Sequence, residues 1–208
     1  MDVVFVLYDQ MTALDIVGPY ETLAGHHDVQ PLFAAAQVGP VRCDNGLTLH
    51  ADVGFDDLST ADVLVVPGSS RWLRALDDEQ LIAWLAAISP TATWTAAVCT
   101  GSTLLAKAGL LTGRPATTHW AVRDALAAHG ADVRTERVVV DGDVITAAGV
   151  SAGIDMALTL AAILWDEWTA QAIQLALEYD PRPPFDSGSV DKAPADIVAA
   201  LRNAFTSG

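Results

Sequence analysis

Cysteine is scarce in this 208-residue chain. Cys43 and Cys99 are the only two, too few for a disulfide framework. Residues 1–8 already read as a strand rather than a secretory leader, so a reducing cytoplasm is the compartment expected. Positive charge is scarce as well. Eleven Lys and Arg against 26 Asp and Glu leave a net charge of −15, and no basic cluster offsets it. Electrostatic binding to nucleic acid or to an anionic membrane surface is therefore not expected. No apolar run is long enough to span a bilayer, because Asp155, Asp166 and Glu167 bracket the apolar stretch 157–164 too closely. The spacings H-x-x-x-H and C-x-x-C are missing, as is a G-x-x-x-x-G-K-[ST] loop, which leaves no metal and no nucleotide cofactor to expect. Internal repeats and low-complexity stretches are also missing.

What the chain does have is apolar mass: 51% hydrophobic residues and six tryptophans, enough for a full core at this length. Short apolar strands alternate with longer helical segments, the mark of an α/β protein with a largely parallel sheet. Strands are expected at residues 3–7, 30–36, 63–66 and 93–98. Helices are expected at 15–23, 78–88, behind Cys99, and at 124–129. Asn45-Gly46 and Asp141-Gly142 mark hairpins, and residues 151–179 read as one long apolar helix. Pro181, Pro183 and Pro184 end that segment, and a short helix is expected at 194–205. The division expected is an α/β domain over 1–180, with a Pro-rich segment and C-terminal helix, 181–208, packed on it.

The run Thr93-Trp94-Thr95-Ala96-Ala97-Val98-Cys99-Thr100-Gly101-Ser102 puts a cysteine where a buried strand meets a helix start. There, helix N–H groups and the helix dipole favour a thiolate, and a lowered pKa would make Cys99 a nucleophile; a buried structural cysteine is the plainer alternative. Ligands of open parallel sheets bind beyond the carboxyl ends of the strands, and two further features fall at such ends. Asp15 is either a helix N-cap or a carboxyl group that faces the thiol and moves protons. Pro67-Gly68-Ser69 offers backbone amides of Gly68 and Ser69 to developing negative charge on a substrate. Thr100 either orients water or a substrate heteroatom, or caps the following helix. His119 is either the base of a Cys–His pair or a neighbouring cap residue. Glu21 is a rival acid expected to face solvent or a helix partner, Cys43 an ordinary thiol, and His26, His27, His50 and His129 surface residues.

The segments Ala97-Val98-Cys99-Thr100-Gly101-Ser102, Leu105-Ala106-Lys107-Ala108-Gly109-Leu110-Leu111-Thr112-Gly113-Arg114 and Ala116-Thr117-Thr118-His119-Trp120 resemble the nucleophile region of the ThiJ/PfpI superfamily. The stretches around Asp15, Pro67-Gly68-Ser69 and Gly149-Val150-Ser151 are similar to the same group. The resemblance implies a flavodoxin-like three-layer sandwich, a homodimer, and a cysteine on a strained nucleophile elbow. Most of the superfamily carries Glu on the first helix; Asp15 there resembles the isonitrile hydratases, which implies catalytic roles for Cys99, Asp15 and Thr100, a small isonitrile as substrate, and no cofactor. Sensor domains of AraC-type regulators share the Cys-Thr-Gly and Ala-Thr-Thr-His-Trp patterns, but they continue into a DNA-binding module, whereas this chain ends at Gly208; a stand-alone ligand or redox sensor is the alternative expected. A glyoxalase- or chaperone-like member is a further one; proteases and glyoxalase III-like members of the superfamily often carry His after the cysteine or Glu in place of Asp15.

Overall fold

The computed structural model describes residues 1–206. In chain order the elements are β1 (Asp2–Val6), α1 (Ala13–Leu23), β2 (Gln30–Ala35), β3 (Gly39–Arg42), β4 (Thr48–Ala51), β5 (Val53–Gly54), β6 (Val63–Val66), α2 (Trp72–Leu76), α3 (Glu79–Ile88), β7 (Trp94–Val98) and α4 (Gly101–Lys107). They continue with β8 (Pro115–Ala116), α5 (Arg123–Ala128), β9 (Asp132–Val133), β10 (Val138–Asp141), β11 (Val144–Ala147), α6 (Ala152–Leu164), α7 (Glu167–Ala176) and α8 (Ala195–Thr206).

Seven strands form the central sheet in the order β10-β11-β7-β6-β1-β2-β5. Every pairing is parallel except that of β10 with β11. Val3, Val4, Phe5 and Val6 are wholly buried, as are all four residues of β6. Such unbroken apolar strands belong to a sheet covered on both faces. Helix α6 contacts α1 and the strands β7, β10 and β11, while α4 contacts β7 and the helices α2, α3 and α5. At the first of these contacts Gly18 lies against Ile154, and Gly153 against Val98 and Pro19. Strand order reverses at β1, which has β6 on one side and β2 on the other. The carboxyl ends of β7, β6 and β1 therefore lie side by side, and each leads into one of the segments singled out by the sequence.

Both expected hairpins form, β3 with β4 and β10 with β11. The single helix expected over 151–179 does not. It breaks at Trp165-Asp166, where Asp166 adopts an extended backbone and its carboxylate accepts the Thr169 amide at 2.7 Å, starting α7 afresh. Trp165 turns aside to stack on His26 at 3.8 Å. His26 is thus half-buried rather than a free surface residue. Apolar periodicity carries across such a break; the capping carboxylate is the signal of it.

Candidate active site

Cys99 follows β7 directly and has φ +59°, a left-handed conformation rare for a residue with a side chain. Its neighbours hold it there. Its N–H donates to the carbonyls of Ala147 and Ala148, and its own carbonyl accepts the Thr118 hydroxyl at 2.9 Å and, more weakly, the His119 amide at 3.4 Å. The Ala-Thr-Thr-His segment is therefore a brace for this junction. A second strained residue lies close by. Val150 has φ +30°, unusual for a β-branched side chain, and its amide and that of Thr100 both favour the Cys99 thiolate.

Asp15 is wholly buried in the first turn of α1. It is not the N-cap: Thr12 holds that position, and the Asp15 carboxylate instead accepts the Gly68 amide at 2.8 Å through Oδ2. The same carboxyl group faces the Cys99 thiol. Its other oxygen, Oδ1, is buried with no hydrogen-bond partner among the described residues. Burial, reinforced by the nearby charge of Asp44, lifts its pKa from 3.8 to about 8 against the pull of the Gly68 amide and the Cys99 thiol. The helix-start effect expected at Cys99 is outweighed as well. Burial first, then the Asp15 charge, raises the thiol well above its ordinary value, although the Val150 and Thr100 amides pull the other way. Two buried acids thus sit together: the Asp15 charge raises the thiol, while the thiol's interaction pulls the carboxyl the other way.

The Gly68 and Ser69 amides, expected to face a substrate, are engaged by the protein itself. Gly68 N–H holds Asp15, and Ser69 N–H donates to Thr100 Oγ1 at 2.8 Å. The Thr100 hydroxyl donates in turn to the Ser69 carbonyl at 3.2 Å and makes no helix cap. Turn and elbow are in fact locked together. A Cβ on Gly68 would strike Thr100 N and lie 2.6 Å from Thr100 Oγ1, and one on Gly101 would meet the carbonyls of Val66 and Pro67. His119 shows no contact with the sulfur. Its Nδ1 accepts the Ala121 amide, its ring stacks on Phe205 at 4.4 Å, and burial beside Arg123 lowers its pKa to about 4. Glu21 is exposed, and Cys43 is a buried free thiol.

Sequence reasoning missed Tyr8 and Asp44. Buried Tyr8 donates to the Pro67 carbonyl at 3.0 Å, and its pKa is raised well above normal by burial and by the charges of Asp15, Cys99 and Asp44. Asp44, on the β3–β4 turn, accepts the Thr12 hydroxyl at 2.7 Å. Nothing in the sequence ties that hairpin to the start of α1. Beside the site a cavity of about 550 Å³ runs from Leu14 and the Ala148-Gly149-Val150 loop out to Arg123, Arg137 and the segment Gly188-Ser189-Val190-Asp191, large enough for a small organic ligand.

An α/β sheet with a cysteine braced at φ +59° between strand and helix, facing a buried carboxyl group, defines a class, and the comparison of families agrees. The chain belongs to the DJ-1/PfpI family, whose pattern matches residues 1–163. Among individual proteins it is 44% identical to the isonitrile hydratase of Pseudomonas putida over 198 residues, covering 95% of this chain and 87% of that one. It is 37% identical to the HTH-type transcriptional regulator CdhR of Pseudomonas aeruginosa over 130 residues, 62% of this chain but 38% of the regulator. The crystal structure of a ThiJ/PfpI family protein from Pseudomonas syringae superposes with a TM-score of 0.95 at 37% identity, covering 99% of this chain and 86% of that one. Oxidized DJ-1 of Toxoplasma gondii, at 24% identity and a TM-score of 0.74, covers 86% of this chain and shares the fold.

Proposed function

We propose that this chain is an isonitrile hydratase, which adds water to R–N≡C and releases an N-substituted formamide without a cofactor. The observation that carries the reading is the buried Asp15 carboxyl, gripped by the Gly68 amide and facing the Cys99 thiol. The extensive similarity to the Pseudomonas putida isonitrile hydratase supports it.

The chemistry follows from the coupling of the two acids. Adjacent buried anions repel, so the working pair holds one proton. Cys99 sulfur attacks the terminal carbon of the isonitrile while the Asp15 carboxyl gives that carbon its proton. New C–S and C–H bonds form, the C≡N bond becomes C=N, and a thioimidate, S–CH=N–R, remains beside a carboxylate. Water then adds to the same carbon, losing a proton to Asp15, which passes it to the substrate nitrogen. The adduct S–CH(OH)–NH–R collapses: its hydroxyl proton goes to Asp15, the C–S bond breaks, and formamide leaves as the one-proton pair is restored. Dividing the addition this way replaces one difficult step by two easier ones. The Val150 and Thr100 amides favour sulfur as it carries charge. Thr100, Gly68 and Ser69 act by position: they fix Asp15 and the elbow relative to one another.

The enzyme is proposed to work as a homodimer, from the family resemblance, and in a reducing cytoplasm, which suits two free cysteines. Among the described residues no helix is long and apolar enough to cross a membrane. The test is incubation of the purified protein with a panel of aliphatic and aromatic isonitriles, with formamide followed by mass spectrometry. Turnover by the parent and none by Cys99→Ala is expected. Binding of isonitriles with no formamide from any of them overturns the hydratase reading in favour of the sensor suggested by the regulator's similarity.

A further inference from the structure

The protein carries 26 acidic residues against 11 basic ones, yet two arginines line the cavity that borders the Ala148-Gly149-Val150 loop. They are not equivalent. Arg137 is already neutralised: its guanidinium grips Asp155 at 2.6–2.7 Å and reaches the Ser151 hydroxyl at 3.2 Å. Arg123 makes no ion pair and no hydrogen bond among the described residues, and its Nε is buried without a partner. A buried guanidinium N–H with nothing to bind is expensive, and in so acidic a chain carboxylates to satisfy it are plentiful. Asp191 also lines the cavity, yet forms no ion pair with Arg123 among the described residues.

The remaining walls are suited to an anion. His119 stands next to Arg123 as a neutral ring whose Nδ1 already accepts the Ala121 amide, so its proton lies on Nε2 as a donor. Ser151 and Ser189 add hydroxyls. Indole Trp120 supplies an apolar side, itself covered by the Arg202 guanidinium at 5.7 Å. The cavity also borders Leu14, the neighbour of Asp15, and the loop whose Ala148 carbonyl accepts the Cys99 amide and whose Val150 amide favours the Cys99 thiolate. Cys99 and Asp15 lie behind this wall, next in sequence or in hydrogen-bond contact with residues that line it, and Arg123 lines the same cavity.

We propose that Arg123 is a substrate-binding residue, and that the isonitriles this protein takes carry a carboxylate at the far end of R, bound by the Arg123 guanidinium. This rests on the hydratase reading for the isonitrile end and on the cavity for the carboxylate end. A planar guanidinium pairs with a carboxylate through two parallel N–H···O bonds. Arg123 would thereby orient the substrate with its isonitrile carbon toward Cys99.

The test is a series of ω-isocyano carboxylates, from isocyanoacetate upward in chain length, each paired with its methyl ester. At the best length kcat/KM for the carboxylate should exceed that for its ester by about tenfold or more, and Arg123→Gln should lower this ratio about ten- to a hundredfold, the range of a lost charge-assisted hydrogen bond. No length at which the carboxylate is preferred, or a ratio untouched by Arg123→Gln, overturns the proposal while leaving the hydratase reading intact. The matching N-formyl amino acids and their methyl esters give a readout free of turnover. Calorimetry should show the acids binding more tightly than the esters to the parent, and losing that advantage in Arg123→Gln. Such binding from a protein that hydrates no isonitrile would support the anion subsite and overturn the hydratase reading; acids and esters binding alike would overturn the subsite.

Discussion

Replacing Asp15 by Asn separates a catalytic carboxyl from a structural one, and the structure sets the size of the effect. In the folded chain this carboxyl is wholly buried and its pKa is lifted from 3.8 to about 8; in the unfolded chain it returns to its ordinary value. Between pH 4 and pH 8 the folded state holds a proton here that the unfolded state does not. Folding takes up that proton, so stability falls as the pH rises, by about 1.4 kcal/mol per unit, and levels off above pH 8. From pH 5 to pH 8 the total is about 4 kcal/mol. Asn has no charge to bury and lacks this slope, while every other titrating group is common to both proteins.

The measurement is urea unfolding of parent and Asp15→Asn at pH 5, 6, 7 and 8, with isonitrile turnover recorded beside it. The stability difference should move in favour of Asn across that range by up to about 4 kcal/mol. Turnover should fall 10²- to 10⁴-fold, the usual share of a general acid–base group. A merely structural Asp would behave otherwise, since Asn serves about as well at helix starts. An Asn variant that keeps its rate removes Asp15 from the mechanism. A stability difference that stays flat from pH 5 to 8 refutes the raised pKa on which the proton transfer rests.

Other outcomes follow from the same geometry. The one-proton pair appears as Asp15 titrates, so kcat/KM should rise with pH through about 8; a flat profile from pH 6 to 9 would contradict this. The Asp44 charge helps raise the Asp15 pKa, so Asp44→Asn should move that rising limb to lower pH, and an unmoved or upward-shifted limb would count against the coupling. Cys99→Ala should abolish formamide formation in a folded protein, whereas Cys43→Ala should turn over like the parent; equal losses in both would end the assignment of Cys99. Gly68→Ala drives a Cβ into Thr100 and Cys99, which should cost about 1–3 kcal/mol, lower the Tm by several degrees and depress turnover; calorimetry showing an unchanged Tm would mean that turn and elbow are not locked. Sedimentation equilibrium at micromolar concentration should return twice the chain mass, and a monomer throughout would remove the dimer.

The sheet was legible because its signals are local. Unbroken, mostly β-branched runs such as residues 63–66 suit strands covered on both faces, and Asn-Gly and Asp-Gly favour hairpins by the backbone conformations they permit. Cys99, Asp15 and Gly68 were legible as a group because all three follow strand ends, and parallel topology gathers strand ends at one edge. What each group does there was less so. The strand-end position of the Gly68 and Ser69 amides points to a surface for substrate, yet they hold Asp15 and Thr100. Cys99 was expected to gain a lowered pKa from its helix, but burial and Asp15 outweigh two amides. Both corrections come from long-range packing. The strain at Val150 has no sequence signal either, since valine is among the last residues expected at a positive φ.

The family pattern matches residues 1–163, and the cavity crosses that boundary while the thiol and the acid do not. Asp15, Gly68, Cys99, Thr100 and Val150 all lie within it. One wall of the cavity does not: Gly188, Ser189, Val190 and Asp191 belong to the stretch before α8. That helix is held onto the core by Phe205, stacked on His119 with its carbonyl accepting the Trp72 indole N–H at 3.2 Å, and by Arg202 over Trp120. Both aromatic contacts fall on residues that line the cavity. The matched region thus holds the Cys99 thiol, the Asp15 carboxyl and most of the cavity's lining, and the C-terminal segment adds the remaining wall. Replacing residues 188–191 while keeping Cys99, Asp15 and Arg123 should leave the proposed reaction in place and change which R groups fit, read as kcat/KM over the isonitrile panel; an unchanged substrate range would detach that segment from the cavity's role.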